Sequence, residues 1–400
     1  MLAELMERLG AGAPEPGPGQ AQSLARVLDG TETLLTAAGP RELDQAATTL
    51  IGAELYEILH GDAVGRHPDL WFTDLANAAL ERIDSLRTSA QLAAGGWQGP
   101  HFLLHAMTGL GSPAQGAHAA SRAKAAAKLL GKAATGLPPW LHKLGKQSAT
   151  GELWQLTDAY GGRHGVIAGF TYPGGKDASV YLFDIDTGQY ADLASAGVYD
   201  NVEQAAAAWS ETLGPDAADA QPRPVADPGT LYPLAYLAVG EEILRGDESR
   251  SVLDDYYRAQ RRLHDVYAAL ARRRTPLPPT ANRYQDIDIQ PAVAAFTAWY
   301  TARHGAAPDT DAAEALATEW LEGATPGTEH LISPARVRHI HALIHDWLDD
   351  PVTTAVHALY PDWIRWHGEH QGLPPQLVEN AVAVASAEPE QNPDDEPSGP

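Results

Sequence analysis

Residues 164–193 read HGVIAGFTYPGGKDASVYLFDIDTGQYADL, and this stretch decides the fold class. Val166, Ala168, Phe170 and Tyr172 recur at every second position, the period of a strand with one buried face. Pro173 to Asp177 (PGGKD) is turn chemistry, and Ala178 to Asp186 is rich in residues that favour a pleated surface. Asp186-Thr187-Gly188 reads as a three-residue hairpin loop with Gly at the left-handed position, leading to a third short strand, QYADL. Glu152 to Thr157 (ELWQLT) supplies a fourth. Asn201 then caps the helix NVEQAAAAWSETLG. Residues 151–213 are therefore expected to form an antiparallel β-meander followed by a helix.

On both sides of this stretch the period changes to that of helices. Leu43, Ala46, Ala47, Leu50, Ile51, Leu55, Ile58 and Leu59 fall at helical spacing in residues 41–60. Pro68 opens a second helix, and HFLLHAMTGL and Pro113 to Ala134 make a further pair. After the meander, helices are expected over 231–245, 248–273, 290–304, 309–322 and 333–349, with shorter pieces to about residue 387. The fold class is α+β, predominantly α-helical, with one small antiparallel meander near the middle of the chain. The expected organisation is a flexible N-terminus (1–20), a helical domain with a basic stripe (21–145) and the meander with its helix (151–213). A Pro/Asp-rich linker (214–230), a helical pair (231–274) and a Pro-rich linker (275–284) follow. A Trp-rich helical domain (285–387) and a disordered acidic tail (388–400) complete it.

The 400 residues carry 52 acids against 28 bases, a formal charge of −24, and no cysteine. Disulfides, thiolate metal sites and a cysteine nucleophile are excluded. The overall charge disfavours nucleic acid and anionic membrane as partners of the whole molecule. The first residues lack a basic segment before an apolar core, and the longest uncharged stretch is broken by Gly, Pro, Gln and His. A cytoplasmic protein is expected, without a membrane span. The excess of Arg over Lys is usual for GC-rich coding and points to a bacterium.

Two clusters carry chemistry. His339, His341 and His345 share one expected helix with Asp349, and the four-residue spacing of His341, His345 and Asp349 puts three metal-ligating groups on one face. No HExxH accompanies them, and the ordinary reading of the same helix is that His and Asp face solvent while Val337, Ile340, Ile344, Trp347 and Leu348 face a core. The second cluster is electrostatic. Between Arg87 and Lys146 there is no Asp or Glu, and all six lysines lie between 124 and 176. Lys124, Lys128 and Lys132 repeat every four residues opposite Ala119, Ala123, Ala126 and Leu130. With Arg122, Lys143 and Lys146 they form a basic patch for a nucleic-acid backbone, an acidic partner or the chain's own acidic half. A solvated helix face is the ordinary alternative.

Other motifs are absent. There is no GxSxG elbow, and Gly131-Lys132 and Gly145-Lys146 lack the following Ser or Thr of a phosphate loop. The run Asp184 to Gly188 lacks the ligand spacing of a calcium loop. Trp299, Trp320, Trp347, Trp363 and Trp366 read as core residues of the last third. With no catalytic signature and no cofactor motif, the leading expectation is a non-enzymatic interaction or regulatory protein whose partner is another protein. A nucleic-acid accessory factor using residues 122–146 and a metal-dependent hydrolase using the histidine cluster are the alternatives.

Overall fold

The computed structural model describes residues 18–60, 68–86, 88–174, 177–188, 191–217, 220–239, 250–280, 288–322, 324–325, 327–345 and 351–386. Residues 1–17, the acidic tail 388–400, Asp349 and Trp347 lie outside them. The protein is α+β and mainly helical, with one five-stranded antiparallel sheet. The chain divides into two compact units. One comprises Met1–Thr150, Phe170–Ser179 and Leu244–Ala269, and the other comprises Gly151–Gly169, Val180–Ile243 and Leu270–Pro400.

The first unit contains α1 (Pro18–Gly30), a 3-10 turn (Thr31–Thr36), α2 (Pro40–His60), α3 (Pro68–Ser85), α4 (Ser89–Ala93), α5 (Gln98–Met107) and α6 (Pro113–Leu130). The helix start at Pro18 falls inside a stretch expected to be irregular, because proline is tolerated in a first helical turn. Residues 99–107 of α5 are all buried. A helix buried on every side belongs at the centre of a bundle, and α3, α6, the Thr31–Thr36 turn and the 3-10 segment Pro139–Lys146 all pack on α5. Gly99 permits one of these contacts, since a Cβ there would lie 2.5 Å from the Thr31 hydroxyl. Helix α6 is started by a capping box: the Gln115 amide donates to Ser112 Oγ and the Ser112 amide donates to Gln115 Oε1 at 2.6 Å.

Buried ion pairs hold α2 against the helical residues 250–269 of this unit. Arg258 pairs with Asp255 and Asp44, Arg262 pairs with Asp44 at 3.3 Å, and Gln45 accepts from Arg258 at 2.8 Å. The backbones approach so closely that a Cβ on Gly52 would sit 2.3 Å from Asp254 Cα.

The sheet has strands β1 (Ser148–Thr157), β2 (Arg163–Thr171), β3 (Ser179–Asp186), β4 (Asp192–Tyr199) and β5 (Arg223–Pro224), in the order β4-β3-β2-β1-β5. Three details differ from the sequence expectation. Strand β1 begins at Ser148 and runs through Gly151, whose φ of +80° only glycine takes without strain. Strand β4 begins at Asp192, not directly after a three-residue loop at 186–188. The Thr187 amide and hydroxyl both turn onto Gly162 O at 2.9 Å, and the positive φ falls on Ala191. Finally, the 214–230 stretch contributes an edge strand: Arg223 and Pro224 pair with Gln155 and Trp154, and Val225 donates to Leu153 O. Proline is compatible with a sheet only at such an edge.

Helix α7 (Val202–Leu213), capped by the Asn201 side chain, covers the sheet with Ala205, Ala206 and Trp209 against Leu156, Ile167, Val180 and Leu182. Helices α8 (Tyr232–Val239) and α9 (Arg250–Arg273) precede α10 (Gln290–His304), α11 (Thr310–Leu321), α12 (Pro334–His345), α13 (Pro351–Gln371) and α14 (Pro375–Ala385). The last five share a core built on Phe296, Trp320, Trp363, Ile364 and Trp366. Pro361 lies inside α13. The neighbouring Tyr360, Trp363 and Ile364 are all buried, and packing of these faces carries the helix across the missing amide. Arg336 on α12 is fully enclosed. Its guanidinium donates to the carbonyls of Trp320, Thr328 and Leu331 and lies 4.5 Å above the Trp320 ring. Burial pulls its pKa down to about 9.

Candidate functional site

The basic patch is described in full, and its six residues do not act as one surface. Ala119, Ala123, Ala126 and Leu130 are the buried face of α6, and Lys124, Lys128 and Lys132 are exposed. Arg122 stands two residues before Lys124, about 200° round the helix, and its Nε approaches His118 Nε2 at 3.3 Å. Lys143 is half-buried in the 3-10 segment and Lys146 is exposed at its end. None of the five lysines pairs with a carboxylate among the described residues.

Lys124 and Lys146 meet on a groove of about 630 Å³ within the first unit. Pro113, Ala117, Ala120, Ala123 and Ala127 of α6 line it with methyl and methylene groups. His105 and Thr108 come from the end of α5, Leu141, His142 and Gly145 from the 3-10 segment, and Arg261 from α9. The lining has three cations, two imidazoles and no carboxylate. Thr108 is the hinge of this geometry. Its carbonyl accepts from Arg261 Nη1 at 3.2 Å, and its hydroxyl donates to His105 O at 2.6 Å. Gly116 and Gly145 let α6 and the 3-10 segment close on it, because a Cβ at either would come within 2.8 Å of Thr108 atoms. Arg261 is further oriented by Asp265, whose Oδ1 lies 3.1 Å from its Nε.

His105 supplies polarity to the groove rather than charge. His101, His105 and His142 form a chain of edge-on rings at 4.7 and 5.1 Å. Burial, reinforced by the neighbouring imidazoles, lowers His101 to about 4 and His105 to about 3, so both are neutral near pH 7.

The histidine cluster of α12 is only partly described. His341 is buried, stacks on Tyr360 at 6.2 Å and meets His357 edge-on at 5.8 Å, while His345 is exposed. Burial, then His357 and His345, lower the His341 pKa. Asp349 lies outside the described residues, and among those residues no group of three or more metal-ligating side chains converges. His330, His367 and His370 do gather in the same unit, with His330 and His367 Nδ1 atoms 2.8 Å apart and the His330 and His370 rings 3.8 Å apart and tilted by 30°, but they do not form a metal-holding group. In that unit a polar cleft of about 510 Å³ is lined by Gln155, Thr157, Asp158, Arg223 and Asp227 among others. Asp158 is raised to about 6 by burial, against the lowering effect of the Arg163 and Gly162 amides that its Oδ1 accepts.

Arg261, His105 and His142 carried no sequence signal linking them to the lysines. Arg261 stands more than a hundred residues along the chain, and neither histidine falls in the four-residue lysine repeat. Among the described residues no helix is long and apolar enough to cross a membrane. No protein-family model, curated protein or solved structure matches the chain.

Proposed function

We propose that the chain is a non-enzymatic binding protein of regulatory type from the bacterial cytoplasm, and that the groove of the first unit is its receptor site for an anionic group. One observation carries this reading. In a chain of charge −24, Lys124, Lys146 and Arg261 line a concave surface to which no Asp or Glu contributes. Concave sites of ~300–1,000 Å³ with a few placed polar groups are where small ligands and anchor groups bind. Arg261 is held in place by Thr108 and Asp265 before any ligand arrives, which reduces the ordering cost of binding.

Nucleic acid is the less supported alternative. A phosphate backbone needs a continuous track of cations, whereas Arg122 stands apart at His118 and only Lys124 and Lys146 of the patch share the groove. Trp140 does not line the groove and packs edge-on against Phe102. The test is chromatographic. A protein of this net charge passes through a phosphate-bearing cation exchanger unless a local basic site holds it. The full chain is expected to be retained at low salt, and the double variant K124E/K146E to flow through. Equal elution of the two overturns the proposal.

A further inference from the structure

The groove is charged at only a few points, and the rest of its lining is hydrocarbon. Ala117, Ala120, Ala123 and Ala127 place methyl groups along successive turns of α6, and Pro113 and Leu141 extend this surface. Ala117, Ala120 and Ala127 are exposed to the groove, not packed beneath it. A site for a bare inorganic anion has no use for such a surface, since apolar area gains free energy only when an apolar group covers it. A site for a polyanion would present a chain of cations in its place. Lys124 sits among these alanines on the same helix, so charge and hydrocarbon adjoin and are not segregated to separate faces. His105 adds a neutral imidazole able to bond a headgroup oxygen without a second full charge.

We infer that the occupant is an amphipathic organic acid: a carboxylate or phosphate headgroup met by Lys124, Lys146 and Arg261, with an apolar body lying on the Ala117–Ala127 face of α6. The inference rests on the anion-receptor reading above and names its ligand class. The same chemistry is offered by a free acid and by the headgroup and first methylenes of an anionic lipid.

The full chain is titrated with 1-anilinonaphthalene-8-sulfonate, followed by displacement with decanoate, decyl phosphate, 1-decanol and inorganic phosphate below their aggregation limits. Decyl phosphate is expected to bind about tenfold or more tighter than inorganic phosphate through its apolar body. Decanoate is expected to bind about tenfold or more tighter than decanol through its charge. K124E/K146E should lose the preference for decanoate over decanol. A120W, at an exposed position, should fold as the parent by circular dichroism and lose the displacement by all amphiphiles. Co-sedimentation with phosphatidylglycerol vesicles, compared with phosphatidylcholine, separates the sources: lysine-dependent sedimentation assigns the lipid, and binding of decanoate without it assigns the free acid. Equal affinity for decyl phosphate and inorganic phosphate, or an A120W variant that binds as the parent does, overturns the inference and leaves the anion receptor standing if the exchanger still retains the protein. Displacement by an oligoglutamate peptide but not by decanoate also overturns it, in favour of an acidic protein segment. Loss of the charge-dependent retention removes both.

Discussion

Replacing Asp184 by Ala tests whether the sheet is held by a buried charge or merely contains one. The carboxylate is fully enclosed, and four donors meet its two oxygens: Arg163 Nε at 2.7 Å, Arg163 Nη2 at 2.8 Å, Trp209 Nε1 at 2.9 Å and Ser195 Oγ at 2.8 Å. Ser195 is also the residue opposite Asp184 in the β3–β4 register. Removing one partner of a buried ion pair costs about 3–5 kcal/mol, and an indole left without its acceptor adds to this. Arg163 retains 21% side-chain exposure and has Asp186 at 3.6 Å, so the lower end applies. A loss of about 3 kcal/mol divided by a urea slope of about 2 kcal/mol/M lowers the midpoint by about 1.5 M. The assay is urea unfolding read by hydrogen exchange of the β3 peptide, which assigns the transition to the sheet. R163M/D184L, which removes both charges, should be less destabilised than D184A. A D184A midpoint within about 0.3 M of the parent refutes the argument, because burial without attraction would cost nothing to relieve.

Three further outcomes are expected. S112A removes the acceptor of the α6 capping box and should cost about 1 kcal/mol in the same unfolding assay. G52A forces a Cβ against the Asp254 backbone and should cost about 1–3 kcal/mol or more, with reduced thermal midpoint. His101 and His105 make the first unit acid-sensitive. Their folded values of about 4 and about 3 lie below the unfolded value of about 6.5. Above pH 6.5 both states are neutral and neither residue affects stability. Below it the unfolded chain protonates first, so stability falls with pH down to about 4, by at most about 1.4 kcal/mol per pH unit per histidine. Urea midpoints between pH 7 and 5 should therefore fall, and the fall should be shallower in H101F.

What the sequence disclosed follows from how local each signal was. The β2 and β3 strands and most helices were legible because their periodicity lies within ten to twenty residues, and the Asn201 cap is equally local. Strand β4 was placed too early and too short. Its residues, Ala194, Ser195, Ala196 and Gly197, have little strand preference, and their conformation is imposed by pairing with β3. The Arg223–Pro224 edge could not be seen, since two residues have no period. The groove was half legible. Lys124 and Lys146 stood out against an acidic chain, but the stripe that joined them to Lys128 and Lys132 followed the helix repeat, whereas the concavity is made where α5, α6, the 3-10 segment and α9 meet. Arg122, counted with the lysines for its charge, is turned away by the helix's own geometry.

The enclosure of Arg336 bears on which substitutions the last third of the chain tolerates. Its acceptors are main-chain carbonyls, and every residue type offers one. As far as the guanidinium is concerned, Thr328 and Leu331 are interchangeable with other residues that keep the same backbone path, whereas Trp320 also meets it with its ring. Arg336 is not, because no other side chain spreads fixed donors across three carbonyls. Mutational pressure on this contact is therefore one-sided: the loop before α12 can drift in composition while the arginine that gathers it stays fixed.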